Sequence, residues 1–316
     1  MIARPSEPPS AGTVADAERG HWADTLLPRA VRPYARLARW ERPIGWWLLL
    51  WPCWWSAALA ADAAGRPWPK PLHLALFMIG AIAMRGAGCT WNDLVDRDID
   101  AAVARTRSRP IPSGQVSIRA AWAFLGLQAL VGLVVLVQFD RFTIVLCLSS
   151  LGIVAIYPFM KRITDWPQAF LGLAFSWGAL VGWSAALQRL DVAPVVLYLG
   201  CILWTIGYDT IYAHQDKEDD AIVGVRSTAR FFAGATRRWL VGLYGAAILC
   251  HAGAFALAGV GLLAWIGLAG FALHLAWQVI RLDIDDPDAC LALFRANRWA
   301  GWILFAGLVA DGLRRL

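Results

Sequence analysis

The constraint that dominates this chain is a series of apolar stretches, each near the length of a membrane-crossing helix, with most of the charge confined between them. The stretches cover residues 43–61, 72–91, 118–139, 142–160, 168–187, 192–212, 239–257, 260–280 and 299–310. A helix needs about 20 apolar residues to cross about 30 Å of hydrocarbon. The balance agrees, since 59% of residues are hydrophobic and 16% charged, with mean hydropathy +0.51, against about a quarter charged in ordinary soluble domains. The expected fold is an all-α, polytopic integral membrane bundle of about nine transmembrane helices. Its domains are an N-terminal arm over 1–40 and a transmembrane domain over 41–316.

The net charge of +6 is explained by where the cations lie. Arg97, Arg105, Arg107, Arg109 and Arg119 share one loop, and Lys161 and Arg162 another. Lys217, Arg226, Arg230, Arg237 and Arg238 fall in a third, and Arg281, Arg295 and Arg298 in a fourth. Basic loops stay on the cytoplasmic side, so these loops and the N-terminus are expected there. No nucleic-acid motif accompanies the charge, and no nucleic-acid partner is expected. Residues 1–25, rich in Pro, Ser and Ala, read as disordered. Over 26–40 the spacing of Arg29, Arg32, Arg36 and Arg39 suits either an interfacial helix broken at Pro33 or a solvated basic arm. No secretory signal is visible, and Glu7, Asp16, Glu18 and Asp24 disagree with the acid-poor composition of a mitochondrial presequence. The expected location is therefore a bacterial cell inner membrane, with lipid as the surrounding partner. The six cysteines are scattered without a Cys-x-x-Cys pair and read as small buried hydrophobes. Many of the 19 tryptophans fall near helix ends, as in an interfacial aromatic belt.

Two acidic clusters follow directly on apolar runs: Asn92-Asp93-Leu94-Val95-Asp96-Arg97-Asp98-Ile99-Asp100 and Asp216-Lys217-Glu218-Asp219-Asp220. A carboxylate inside a membrane helix costs about 2.5 to 3.5 kcal/mol and persists where it pairs or functions. Asn92, Asp96 and Asp100 are spaced by four, as are Asp216 and Asp220, so each set shares one face if its backbone is helical. Asn92 stands to Asp216 as Asp96 stands to Asp220, which suggests an internal repeat. Mg²⁺ takes oxygen ligands, typically one or two carboxylates plus substrate phosphates. The clusters therefore point to metal-held diphosphate at a membrane. Asp93, Asp98 and Glu218 fit equally well as solvated residues beside the neighbouring arginines, and His214 as a polar neighbour rather than a ligand.

Around the first cluster, Arg85-Gly86-Ala87-Gly88-Cys89-Thr90-Trp91 leads into the acids, and Arg105-Thr106 and Arg109-Pro110-Ile111-Pro112-Ser113-Gly114 follow them. This stretch resembles the NDxxDxxxD signature of UbiA-type membrane prenyltransferases. Tyr208-Asp209-Thr210-Ile211-Tyr212-Ala213 running into Asp216 and Asp220 is similar to the second acidic motif of the branch that uses 4-hydroxybenzoate. Arg42-Pro43-Ile44-Gly45, and Tyr157-Pro158-Phe159-Met160-Lys161-Arg162, resemble that branch as well.

The resemblance implies transfer of a polyprenyl group from polyprenyl diphosphate to the ring carbon ortho to the hydroxyl of 4-hydroxybenzoate, a step of ubiquinone biosynthesis, with Mg²⁺ required. Another acceptor, such as dihydroxynaphthoate, homogentisate, haem or a chlorophyll precursor, is the alternative, and an ion-coupled transporter a more distant one. Asp96, Asp100, Asp216 and Asp220 are then the expected catalytic acids, and with Asn92 the metal ligands. Arg42, Arg85, Asn92, Tyr157, Lys161, Arg162, Tyr208 and Asp209 are the expected substrate-binding residues. Arg85 lies on the Asn92 face and suits either the acceptor carboxylate or the diphosphate. Arg42 suits a snorkelling anchor or an acceptor ligand.

Overall fold

A computed structural model of the chain describes residues 22–103, 106–217 and 224–314, the side chains of Asp24 and Asp216 excepted. The described elements are helices, with no strand among them. Eight helical stretches are long and apolar enough to cross a membrane: Ile44–Ala63, Pro71–Ala102, Ile118–Leu136, Arg141–Met160, Pro167–Leu187, Val192–Ala213, Thr228–Ala258 and Leu262–Arg281. The ninth expected run, 299–310, lies inside helix Pro287–Leu313, which is 27 residues long and carries Asp288, Arg295, Arg298 and Asp311. Side chains such as Val134, Leu249, Leu273 and Ile280 are exposed, as lipid-facing positions require.

The chain divides into two compact units. The larger comprises residues 44–82 and 132–316, and its core is aromatic. Trp51, Trp55, Trp204, Tyr208, Phe255 and Phe271 are fully buried, and Trp47 and Trp51 stack at 4.9 Å. The belt expected for the tryptophans therefore holds only for exposed ones such as Trp122, Trp239 and Trp299. The Trp46-to-Trp55 series lies on one helix at three- and four-residue steps, which aims its rings at a common neighbour. That neighbour is helix Pro287–Leu313: Trp55 Nε1 donates to Gly301 O at 3.0 Å, and a Cβ at Gly301 would overlap the Trp51 ring.

Several buried polar groups in this unit find partners within it, as hydrocarbon surroundings favour. Asn297 Oδ1 accepts from Trp204 Nε1 at 3.0 Å and Gln278 Nε2 at 3.2 Å, while its amide donates to Leu293 O and Phe294 O. Asp311, fully buried, accepts from the backbone N–H groups of Gly261 and Leu263 and so caps helix Leu262–Arg281.

The smaller unit comprises residues 1–43 and 83–131. Its core is five small-to-medium side chains, Leu37, Leu94, Ile111, Val116 and Ala121, flanked by Tyr34 and Phe124. The short helix Arg32–Leu37 has Pro33 in its first turn, where a missing N–H is harmless, and it buries Ala35 and Leu37. After Pro110 the chain turns at Gly114, φ +74°, and Val116 N–H returns to Pro110 O at 2.9 Å. That turn holds the segment carrying Arg109.

Candidate functional site

The part of helix Pro71–Ala102 that belongs to the smaller unit, from residue 83 on, extends through the whole first acidic stretch, so Asn92, Asp96 and Asp100 share a face as their spacing implies. Asp93, Asp96 and Asp100 are all buried, at 1%, 1% and 5% exposure, while Asn92 and Arg85 are half-buried. Buried carboxylates this close together need countercharge. Arg39 Nη2 donates to both oxygens of Asp93 at 2.9 Å. Arg109 Nη1 donates to both oxygens of Asp100 at 3.0 and 2.9 Å, and stands 3.6 Å from Asp93. The Thr106 hydroxyl donates to the Asp100 carbonyl at 2.9 Å. Arg85 Nη1 donates to Cys89 Sγ at 2.7 Å, and Arg42 Nε lies 3.7 Å from Glu41. Asp98 behaves as the solvated residue of the first reading, with its side chain 88% exposed and 3.6 Å from Arg97. Asp93 does not: it is buried, and Arg39 reaches it from 54 residues away.

In the larger unit, Tyr157 is half-buried in helix Leu151–Met160, with Lys161 at its C-cap. Cations are favoured at that end of a helix. Arg162 lies 6.0 Å from the Phe159 ring centroid, and Arg226 N–H donates to Lys161 O at 2.9 Å. Tyr208 is fully buried with its ring 4.9 Å from Trp204 and 5.9 Å from Phe294. Asp209, next to it, is half-buried. Helix Val192–Ala213 then tightens into a 3₁₀ turn over His214–Asp216. His214 is buried, with Nε2 3.1 Å from Thr236 Oγ1. Burial, then the nearby Lys217 charge, push its imidazole down to about 4, so it is a neutral polar neighbour at physiological pH. Lys217 Nζ donates to Ile284 O at 2.9 Å and Asp285 Oδ1 at 2.5 Å. That hydrogen bond and charge hold the Asp285 carboxyl below its usual range. Asp220, with Arg105, Glu218 and Asp219, lies outside the described residues, as does the Asp216 side chain.

The structure thus brings Arg85, Asn92, Asp96 and Asp100 onto one helix and adds Arg39 and Arg109, two cations whose part spacing did not assign. Among the described residues no group of three or more His, Cys, Asp or Glu is arranged to hold a metal ion. The donor set nevertheless fits Mg²⁺, which needs only one or two carboxylates beside phosphate oxygens: Asn92, Asp96 and Asp100 offer hard oxygen donors.

The sequence profile of the UbiA prenyltransferase family matches residues 49–303. The chain is 49% identical over 295 residues to the mitochondrial 4-hydroxybenzoate polyprenyltransferase of Arabidopsis thaliana, covering 91% of this chain and 70% of that one. It is 51% identical over 290 residues to the Drosophila melanogaster enzyme of the same name, covering 91% and 73%. Among solved structures, a UbiA homolog from Aeropyrum pernix K1 superposes with a TM-score of 0.69 at 22% identity, covering 83% of this chain and 97% of that one. A UbiA homolog from Archaeoglobus fulgidus bound to GPP and Mg²⁺ superposes with a TM-score of 0.60 at 20% identity, over 90% and 99%. The fold and the acidic helix face define a membrane-embedded prenyltransferase. The chain belongs to the UbiA prenyltransferase family.

One expectation falls with these relatives. They are named as mitochondrial enzymes, so a bacterial inner membrane is not supported. Glu7, Asp16, Glu18 and Asp24 describe only the composition of residues 1–25, and alternating basic loops report the sense of insertion; neither says which membrane receives the chain.

Proposed function

We infer that the protein transfers a polyprenyl group from polyprenyl diphosphate to the ring carbon ortho to the hydroxyl of 4-hydroxybenzoate, a step of ubiquinone biosynthesis. The observation that carries this is about half identity, over nine tenths of the chain, to enzymes named for that reaction. The buried carboxylates at the end of a membrane helix supply its chemistry.

Asn92, Asp96 and Asp100, with Asp216 and Asp220, are the residues that would hold Mg²⁺. When bound, the metal neutralises the leaving diphosphate and lowers the barrier to breaking the allylic C–O bond. Lys161 and Arg162, with Tyr157, are suited to bind diphosphate oxygens at a helix C-cap. Arg85 offers a planar guanidinium on the Asn92 face, able to grip either the acceptor carboxylate bidentately or the diphosphate. Arg42 has the same chemistry from the N-terminal segment. Tyr208 and Asp209 complete the set from helix Val192–Ala213, Tyr208 within an aromatic wall of the kind that keeps water from the allylic cation. The electron-rich phenol ring then attacks the allylic carbon as diphosphate leaves, and loss of the ring proton restores aromaticity. Exposed apolar side chains along the spanning helices support lipid as the medium from which the prenyl chain enters.

The test is product analysis. Membranes carrying the protein, given Mg²⁺, a polyprenyl diphosphate and 4-hydroxybenzoate, should yield the 3-prenylated acid by mass spectrometry. The Asp96→Asn protein, inserted to the same level, should yield about a hundredfold less or lower still, because an amide presents one neutral oxygen where the carboxylate stood. No product from the wild type, or undiminished product from Asp96→Asn, would sink the reading.

A further inference from the structure

Arg39 and Asp93 hold none of the roles assigned above, yet they form one of the most constrained pairs in the smaller unit. Arg39 has φ +57°, a left-handed conformation that is costly for a non-glycine residue and persists only where the surroundings enforce it. Glycine or asparagine would adopt it more readily. The side chain kept at that cost donates through Nη1 to Arg36 O at 2.7 Å and through Nη2 to both Asp93 oxygens at 2.9 Å. It is 12% exposed, and the Asp93 side chain 2%. Arg109 stands within reach of two carboxylates, on Asp100 at 2.9 Å and 3.6 Å from Asp93. Which of the two it serves depends on whether Asp93 is already neutralised.

We propose that Arg39 is a positioning residue for the first acidic stretch: by neutralising Asp93 it keeps Arg109 committed to Asp100, whose carboxylate is thereby aimed at the metal-held diphosphate. The inference rests on the reading of Asp96 and Asp100 as metal-holding acids. Without Arg39, the buried Asp93 carboxylate draws Arg109 across a gap of 3.6 Å, and Asp100 loses the hydrogen bonds that orient it. Removing the outer partner of a ligating carboxylate typically weakens metal binding about 10- to 100-fold. The charge on Asp93 is what makes the loss of Arg39 harmful. Removing both should therefore return Arg109 to Asp100.

The experiment counts Mn²⁺ bound to purified protein in lipid nanodiscs by electron paramagnetic resonance, with an unreactive thio analogue of a prenyl diphosphate present. Arg39→Asn suits the left-handed backbone and so keeps the fold testable; its Mn²⁺ affinity should fall about tenfold. Asp93→Asn and the double variant Arg39→Asn/Asp93→Asn should both bind within about threefold of wild type. A double variant as weak as Arg39→Asn would show a plain structural salt bridge and overturn the proposal. So would wild-type affinity in Arg39→Asn, or an Asp93→Asn protein as weak as Arg39→Asn. Asp100→Asn separates the two layers: unchanged Mn²⁺ binding there removes the metal-holding reading itself, whereas weakened binding there with the wrong pattern at Arg39 removes only the positioning role.

Discussion

The first acidic stretch lies within a continuous helix, its three buried carboxylates set against two guanidiniums over a small hydrophobic cluster of Leu37, Leu94, Ile111, Val116 and Ala121. The second begins where a helix gives out into a 3₁₀ turn, beside a large aromatic core, and Lys217 is tied to an Asp285 side chain that is 80% exposed. Among the described residues, the two surroundings are thus held by different forces. In the smaller unit, electrostatics in a low-dielectric setting fixes the acids, and each charge depends on its neighbour. In the larger unit, packing positions the backbone, and the visible ion pair is a screened surface contact.

The largest expected effect tests the electrostatic side. Arg109→Gln leaves Asp100 buried without its guanidinium, and kcat/KM should fall about 10- to 100-fold, the usual loss when a ligating carboxylate loses its outer partner. Steady-state kinetics at saturating Mg²⁺ check it; a change under about twofold would mean that Arg109 is not what orients the acid. Next comes the packing side. Gly301→Ala places a methyl group against the Trp51 ring, and overpacking of a filled core should lower stability by about 1–3 kcal/mol. Thermal unfolding in detergent reads this, and an unshifted midpoint would show that the aromatic core yields. The smallest effect sharpens the contrast. Lys217→Gln removes an exposed pair and should change kcat/KM by less than about threefold, since such pairs contribute little. A loss there equal to that of Arg109→Gln would break the distinction between the two stretches.

How much of this was legible in the sequence follows from the same contrast. Asn92, Asp96 and Asp100 could be placed on one face because a single helix carries them and its period is fixed. The partnership of Arg39 with Asp93 could not, because 54 residues separate them and Arg39 reads as the last of a basic series with Arg29, Arg32 and Arg36. The interior place of Trp51 and Trp55 could not be told from an interfacial belt, because an indole suits both a wet interface and a buried core; Gly301, which makes room for the Trp51 ring, marks the second use. The four-residue step from Asp216 to Asp220 shares a face only on a helix; helix Val192–Ala213 gives way to a 3₁₀ turn over His214–Asp216, and Asp220 lies outside the described residues. Spacing cannot foresee where a helix tightens.

The Asn297 amide has a consequence for the order in which the chain is assembled. It lies on the last long helix and satisfies Trp204 and Gln278, which precede it in the chain. In lipid an unmet indole N–H or amide is a standing cost, on the order of 1–2 kcal/mol for each lost interhelical bond. During synthesis the earlier helices therefore enter the membrane with the Trp204 indole N–H still waiting for the final helix, while Gln278 can already pair with Tyr244 and His274. A chain cut short before Asn297 would retain its acids and most of its spanning helices, and still lack the member that closes the bundle.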